Sequence, residues 1–312
     1  MSIIIHSIEI VAPLLIFVAL GALLNYRKGL SQNTINEVIA LVSKFFLPAT
    51  IFIHIYNSNI RKDFDIRLFV FITFVFILAV LINNFYISYF VKDDRQKSVL
   101  LQASIRSNCT LFALPLSIYI YGDSIAGMAS LAAVIITNLN NLYCIYVFEH
   151  FQYADISFTT LLLRVLRHPL TIGLLLGLSV QILQFRLPAV ILKCISQISQ
   201  ITSPVALMII GASFIFRHSR ETVKNISLAV VYKLVIYPAI GLVLAYWLGF
   251  RNEGLVVIVA LLASPVAVNS FLTAKSYNCD TDLSNAALVY SYMLATVTLP
   301  IFISLITYLN LI

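Results

Sequence analysis

The chain has 312 residues, 61% of them hydrophobic and 11% charged, with a mean hydropathy of +0.97. These values lie far from the soluble-domain norm, exclude a soluble globular domain, and specify a polytopic membrane protein. The 20 Lys and Arg against 13 Asp and Glu fall in short runs between apolar segments, which reads as topology signalling and not as a nucleic-acid surface.

No basic leader precedes the first apolar run, so it reads as a retained span and not as a cleavable signal peptide. Taken in order, apolar segments of spanning length fall at about 4–24, 35–56, 66–90, 98–120, 124–148, 169–184, 189–216, 226–248, 254–274 and 284–309. The expected fold class is therefore all-α, with ten transmembrane helices and no loop long enough for a separate soluble domain. Cys109, Cys144, Cys194 and Cys279 stand singly in or beside apolar segments, a pattern of buried thiols and not of disulfides or a metal site. If the N-terminus faces outward, eleven basic residues from Arg27 to Lys275 fall on cytoplasmic connections and six from Arg61 to Arg251 on the other side. Both termini are expected outside.

Pro13 and Pro169, Gly21 and Gly177, and Pro48 and Pro204 each differ by 156 positions, half the chain length. Ile39 with Ile195 and Ser43 with Ser199 follow the same offset. The reading is two five-helix repeats, residues 1–155 and 156–312. Five is odd, so such repeats insert with opposite orientations, as in many secondary transporters. Farther along the offset drifts, and Pro115 pairs with Pro265 at 150.

The fourth segment carries RSNCTLFALPLSIYIY, Arg106 to Tyr121. Pro115 removes a backbone hydrogen bond and crowds the preceding turn, so the helix is expected to kink or unwind near Ala113 and Leu114. In lipid, freed backbone groups persist only where protein or a water-filled cavity satisfies them. A second break is expected at Pro265. The half-helix beyond each break offers amide donors and a partial positive charge suited to a carboxylate, which nominates Pro115 with Leu116 and Pro265 with Val266.

Polar residues inside the spans supply the remaining candidates. Asn108 stands one to two turns before Pro115, and Thr137, Asn138, Asn140 and Asn141 form a polar patch in helix five. Asn269 lies one turn after Pro265, and Thr50 just after Pro48. Asn108, Asn138, Asn141, Asn269 and Thr50 are named as substrate contacts, with helix packing as the competing reading. Arg106 and Lys44 are candidates for attracting an anion. For Arg106, pairing with Glu149 or reaching the interface are the alternatives; Lys44 is expected to face protein. Lys233 reads as structural, and His54 as a packed histidine. Glu9, Glu37, Asp123, Glu149, Asp280 and Asp282 all sit near helix ends, so no mid-membrane carboxylate relay is apparent.

Several of these features together resemble the auxin efflux carrier family, which includes plant PIN proteins and bacterial malonate-transporter-like members. Asn108 seven residues before Pro115, then Tyr121-Gly122, is similar to the family's fourth helix. Glu149 ends the fifth helix where the family often has an acid. Arg167-His168-Pro169-Leu170-Thr171 resembles an R-N-P-N-T start to the sixth. Pro265, Ala274-Lys275, Tyr277-Asn278 and Asp282, followed by a helix ending at Pro300, give the most specific match. His168 and Leu170 replace two asparagines, Thr110 and Ala113 stand where bacterial relatives often have glycine, and the long plant loop is absent. The resemblance implies a bacterial-type carrier in which helices four and nine cross at their breaks. It also implies a scaffold of helices one, two, six and seven, a moving domain of the others, and elevator-like alternating access.

These readings converge on a secondary transporter of small organic anions, with a mono- or dicarboxylate as cargo, in a bacterial plasma membrane. The expected partners are the anion and membrane lipid, with no cofactor; dimers are common among related carriers, which leaves a homodimer open. No H-E-x-x-H, G-x-S-x-G, phosphate loop or paired Cys or His spacing is present, so an enzyme is not expected. A cation/proton antiporter or a channel on the same inverted-repeat plan is the alternative, although the paired acids of an antiporter are missing.

Overall fold

The computed structural model describes residues 2–27, 29–57, 64–152, 163, 166–167, 169–213, 220–267, 270, 273–274, 277 and 279–312, with backbone only for residues 2–11, 14, 149, 152 and 220–222. Among them the secondary structure is helical, in eleven stretches: α1 (Ser2–Tyr26), α2 (Gln32–Asn57), α3 (Ile66–Phe90), α4 (Asp94–Ala103), α5 (Cys109–Tyr121), α6 (Ala126–Gln152), α7 (Pro169–Ile182), α8 (Ala189–Ala212), α9 (220–247), α10 (Asn252–Ala263) and α11 (Thr281–Tyr308). Six are long and apolar enough to cross a bilayer, and shorter apolar helices include α5, α7 and α10. Side-chain caps start several of them. Asp93 accepts from the amides of Arg95 and Gln96 at 2.8 and 3.1 Å, and Asp280 from Leu283 at 2.9 Å, satisfying donors that a helix start leaves open.

Prolines leave a repeated mark. Pro48, Pro115 and Pro238 are each preceded by five π-helical residues, Val42–Phe46, Cys109–Ala113 and Tyr232–Ile236. A proline donates no hydrogen bond and its ring presses on the turn before it; widening that turn relieves the pressure while keeping the helix continuous. The kink or unwinding expected near Ala113 and Leu114 takes the form of this π-helical turn, and the full interruption of the segment lies elsewhere. It falls over Ser104–Asn108, between α4 and α5, while Pro115 sits inside α5 after its π-helical turn. Pro265, in contrast, lies in the interruption itself: α10 stops at Ala263 and Ser264 is extended, with φ −62° and ψ 145°. Proline disfavours the helical conformation in the residue before it, which explains the stop.

Two helix pairs pack closely, and α1 also packs on α11. α1 lies along α8, and α7 lies along the second half of α2. Gly21 backs directly onto the Met208 carbonyl, and Gly177 onto Phe52 and Ile55; a side chain at either position would force the helices apart. Thr50 and Thr202 join α2 to α8 by a 3.1 Å hydroxyl contact. α3, α4, α5, α6, α9, α10 and α11 pack on one another around the two interruptions. Asn83 donates to the Leu101 carbonyl at 2.8 Å, and Tyr232 to that of Ala79 at 2.6 Å.

Three cysteines are buried as expected, but Cys194 is exposed on α8. Lys44 also departs from expectation and is exposed, together with Phe45. Both sit in the first π-helical segment, where the extra residue per turn rotates the register and carries them away from the inward-facing Ser43 and Leu47.

Candidate functional site

The two interruptions meet. Ser107 and Val266 form an antiparallel bridge, in which the Asn108 amide donates to the Pro265 carbonyl at 2.9 Å and the Ala267 amide to the Arg106 carbonyl at 3.1 Å. Each unwound strand thereby satisfies the backbone of the other, the condition for irregular backbone at membrane depth.

Beside this bridge lies a cavity of about 40 Å³ lined by residues 106–111, Thr137, Asn140, Asn141, Ala267, and Ser43, Leu47 and Leu170 from α2 and α7. Arg106 is buried, 6% exposed. Its guanidinium donates to Asn141 Oδ1 at 2.9 Å, Thr273 Oγ1 at 3.1 Å and Cys144 Sγ at 3.2 Å. All three partners are neutral, and among the described residues no carboxylate lies within ion-pair distance. Burial rules out the interface reading of Arg106; the Glu149 side chain, its other alternative, lies outside the described residues. Around the guanidinium, Ser107 Oγ, Asn140 Oδ1 and Asn141 Nδ2 are buried without a hydrogen-bond partner among the described residues. A buried cation ringed by neutral dipoles carries a desolvation cost that an anion would offset.

Asn108 has a different role from a free ligand. Its Oδ1 caps α5 by accepting from the Leu111 amide at 3.3 Å, and its Nδ2 donates to the Tyr292 hydroxyl at 2.7 Å. It borders the cavity and fixes where α5 begins. The first two residues of that helical stretch, Cys109 and Thr110, also border the cavity, so the positive end of α5 faces it. Pro115 and Leu116 are buried one to two turns farther in and do not reach the cavity. The Val266 amide is used by Ser291 Oγ at 3.0 Å. Asn138 accepts from Thr171 at 3.1 Å and ties α6 to α7. Thr50 donates to the Phe46 carbonyl at 3.0 Å and meets Thr202. Asn269 lies outside the described residues. His54 packs against Ser130 at 3.0 Å, as a packed histidine should.

Of the candidates, the structure thus brings Arg106, Asn108 and Asn141 together and leaves Thr50, Asn138, Pro115 and Leu116 apart from the cavity. Ser107, Asn140 and Thr273 join the group without having been nominated. Asn108 held the missed signal: asparagine is a preferred N-cap, and reading it as one places a helix start at Cys109 and the interruption before it.

A family model described as "Membrane transport protein" matches residues 6–159 and 154–303. The transporter YfdV of Escherichia coli strain K12 is 24% identical over 306 residues, covering 93% of this chain and 95% of YfdV. The YfdV protein of Shigella flexneri gives the same figures. Auxin efflux carrier component 1 of Arabidopsis thaliana is 27% identical over 139 residues, 42% of this chain and 22% of the plant protein. The chain is an integral membrane transporter and not an enzyme, and it belongs to the membrane transport protein family, that of the auxin efflux carriers.

Proposed function

We propose that this transporter moves a small organic anion, a mono- or dicarboxylate, by elevator-like alternating access, in a bacterial plasma membrane with both termini outward. The observation that carries the reading is the buried Arg106 guanidinium, held by neutral partners beside a cavity lined also by Ser107, Asn141 and the start of α5. Guanidinium, hydroxyl and amide donors converging at a helix N-terminus are the chemistry that recognises a carboxylate. A cation carrier would instead present acids at this place.

The wider architecture we propose is ten spans in two inverted five-helix repeats, with helices four and nine crossing at the bridged interruptions. Two close approaches support the repeat: Gly21 meets the Met208 carbonyl and Gly177 the Phe52 carbonyl, and both 177 − 21 and 208 − 52 equal 156. The mutual packing of α1 with α8 and of α2 with α7 suits a scaffold of helices one, two, six and seven. Ser43, Leu47 and Leu170 face the cavity from that scaffold, so sliding the other helices past it would open one wall. About 40 Å³ holds a few water molecules and not a whole dicarboxylate, so loading requires such an opening.

The test is uptake of labelled acetate, lactate, malonate and succinate into proteoliposomes. Saturable flux of at least one, competed by unlabelled carboxylate, is expected; sodium or proton movement with no carboxylate flux would replace this reading with the antiporter.

A further inference from the structure

The ends of the two interrupted helices are held in parallel ways. α4 ends at Ala103, and Ser104 turns its hydroxyl back to the Leu100 carbonyl at 2.7 Å. α10 ends at Ala263, and Ser264 does the same to Ala260 at 2.6 Å. A side chain from a neighbouring helix then holds one carbonyl of each last turn: Asn83 on α3 holds Leu101 at 2.8 Å, and Lys233 on α9 holds Leu262 at 2.6 Å. The two holders differ in charge, a neutral amide at the first break and an amine at the second. Lys233 is fully buried, lies 5.3 Å from the Tyr237 ring centroid, and among the described residues forms no ion pair. The last turn of a helix carries a partial negative charge on its unpaired carbonyls. In transporters with interrupted helices, such carbonyls are where a coupling cation is coordinated.

We propose that the Lys233 ammonium is a resident cation at the break of α10, occupying the place a small inorganic cation would otherwise fill. Its covalent tether keeps the carbonyl end neutralised throughout the cycle, so holding the break open requires no sodium from solution. Removing the ammonium leaves a buried, negatively polarised pocket suited to a small monovalent cation. The inference concerns the break and depends on the carboxylate reading only in its flux arm.

Purified wild type, Lys233→Ala, Lys233→Gln and Lys233→Arg are compared for thermal unfolding in N-methylglucamine, sodium and methylammonium chlorides at equal ionic strength. The wild type and Lys233→Arg should unfold alike in all three salts. Lys233→Ala should unfold at lower temperature in N-methylglucamine and recover most of the loss in sodium or methylammonium. Lys233→Gln, which can donate to Leu262 without charge, should be intermediate and keeps the comparison available if the alanine variant is not recovered folded. In proteoliposomes, wild-type carboxylate uptake should be equal with and without sodium. Uptake by Lys233→Ala should fall at least about tenfold and return in part with sodium or methylammonium. A wild type stabilised by sodium, or a Lys233→Ala defect indifferent to all three cations, overturns the proposal. If the wild type moves no carboxylate, the cargo assignment fails while the unfolding series still decides the role of Lys233.

Discussion

At the residue scale, Arg106 and Asn108 divide the work of the proposed site between charge and position. The Arg106 fork reaches Asn141, Thr273 and Cys144 at once, a geometry that a single ammonium does not reproduce. Arg106→Ala and Arg106→Lys should therefore both lower initial uptake rates by about tenfold or more, the lysine variant recovering only part of the loss; wild-type kinetics in Arg106→Lys would show that only charge matters. Asn108→Ala removes the cap of α5 and the donor to Tyr292 together. It should lower the unfolding temperature, by a loss of about 1–2 kcal/mol, and impair transport while the protein still inserts. Unchanged kinetics would separate Asn108 from the site. These residues were legible in the sequence because a charge or amide within an apolar span is conspicuous. Ser107 and Thr273 were not, since small hydroxyls are common in spanning helices and only the fold brings position 273 to position 106.

At the element scale, the two prolines nominated as equivalent breaks behave differently. Pro115 is absorbed by a π-helical turn within α5, whereas Pro265 enforces the extended Ser264 and ends α10. Pro265→Ala gives the chain the option of continuing the helix and should cost more transport than Pro115→Ala in the same uptake assay. An equal loss would place the working break at Pro115. Helix existence and approximate limits could be read from hydropathy alone, because length and apolarity dominate insertion. The place of the first interruption could not, because a proline fixes where strain arises, and a π-turn or an unwound stretch relieves it equally well. The tight seams tell a similar story: Gly21 and Gly177 were visible as a spacing, and their meaning appeared only once each was seen against a carbonyl. Gly21→Leu should force α1 from α8 and destabilise the protein by about 1–3 kcal/mol, measured as a lowered unfolding temperature.

At the scale of the whole molecule, the exposed Cys194 near the start of α8 serves as a native topology probe. With both termini outward, α8 begins on the outer side, so a membrane-impermeant maleimide should label Cys194 in intact cells, and Cys194→Ser should abolish that signal. Labelling only after permeabilisation would reverse the orientation. The bridged interruptions and the family assignment agree on a carrier, and the cargo we propose rests on one feature, a buried guanidinium with neutral partners beside a small polar cavity. The most direct measurement is therefore uptake of labelled acetate, lactate, malonate and succinate by proteoliposomes of the wild type and Arg106→Ala side by side. Saturable uptake of at least one carboxylate that is lost in Arg106→Ala is the predicted result. No carboxylate uptake by the wild type, or equal uptake by both proteins, would contradict the account.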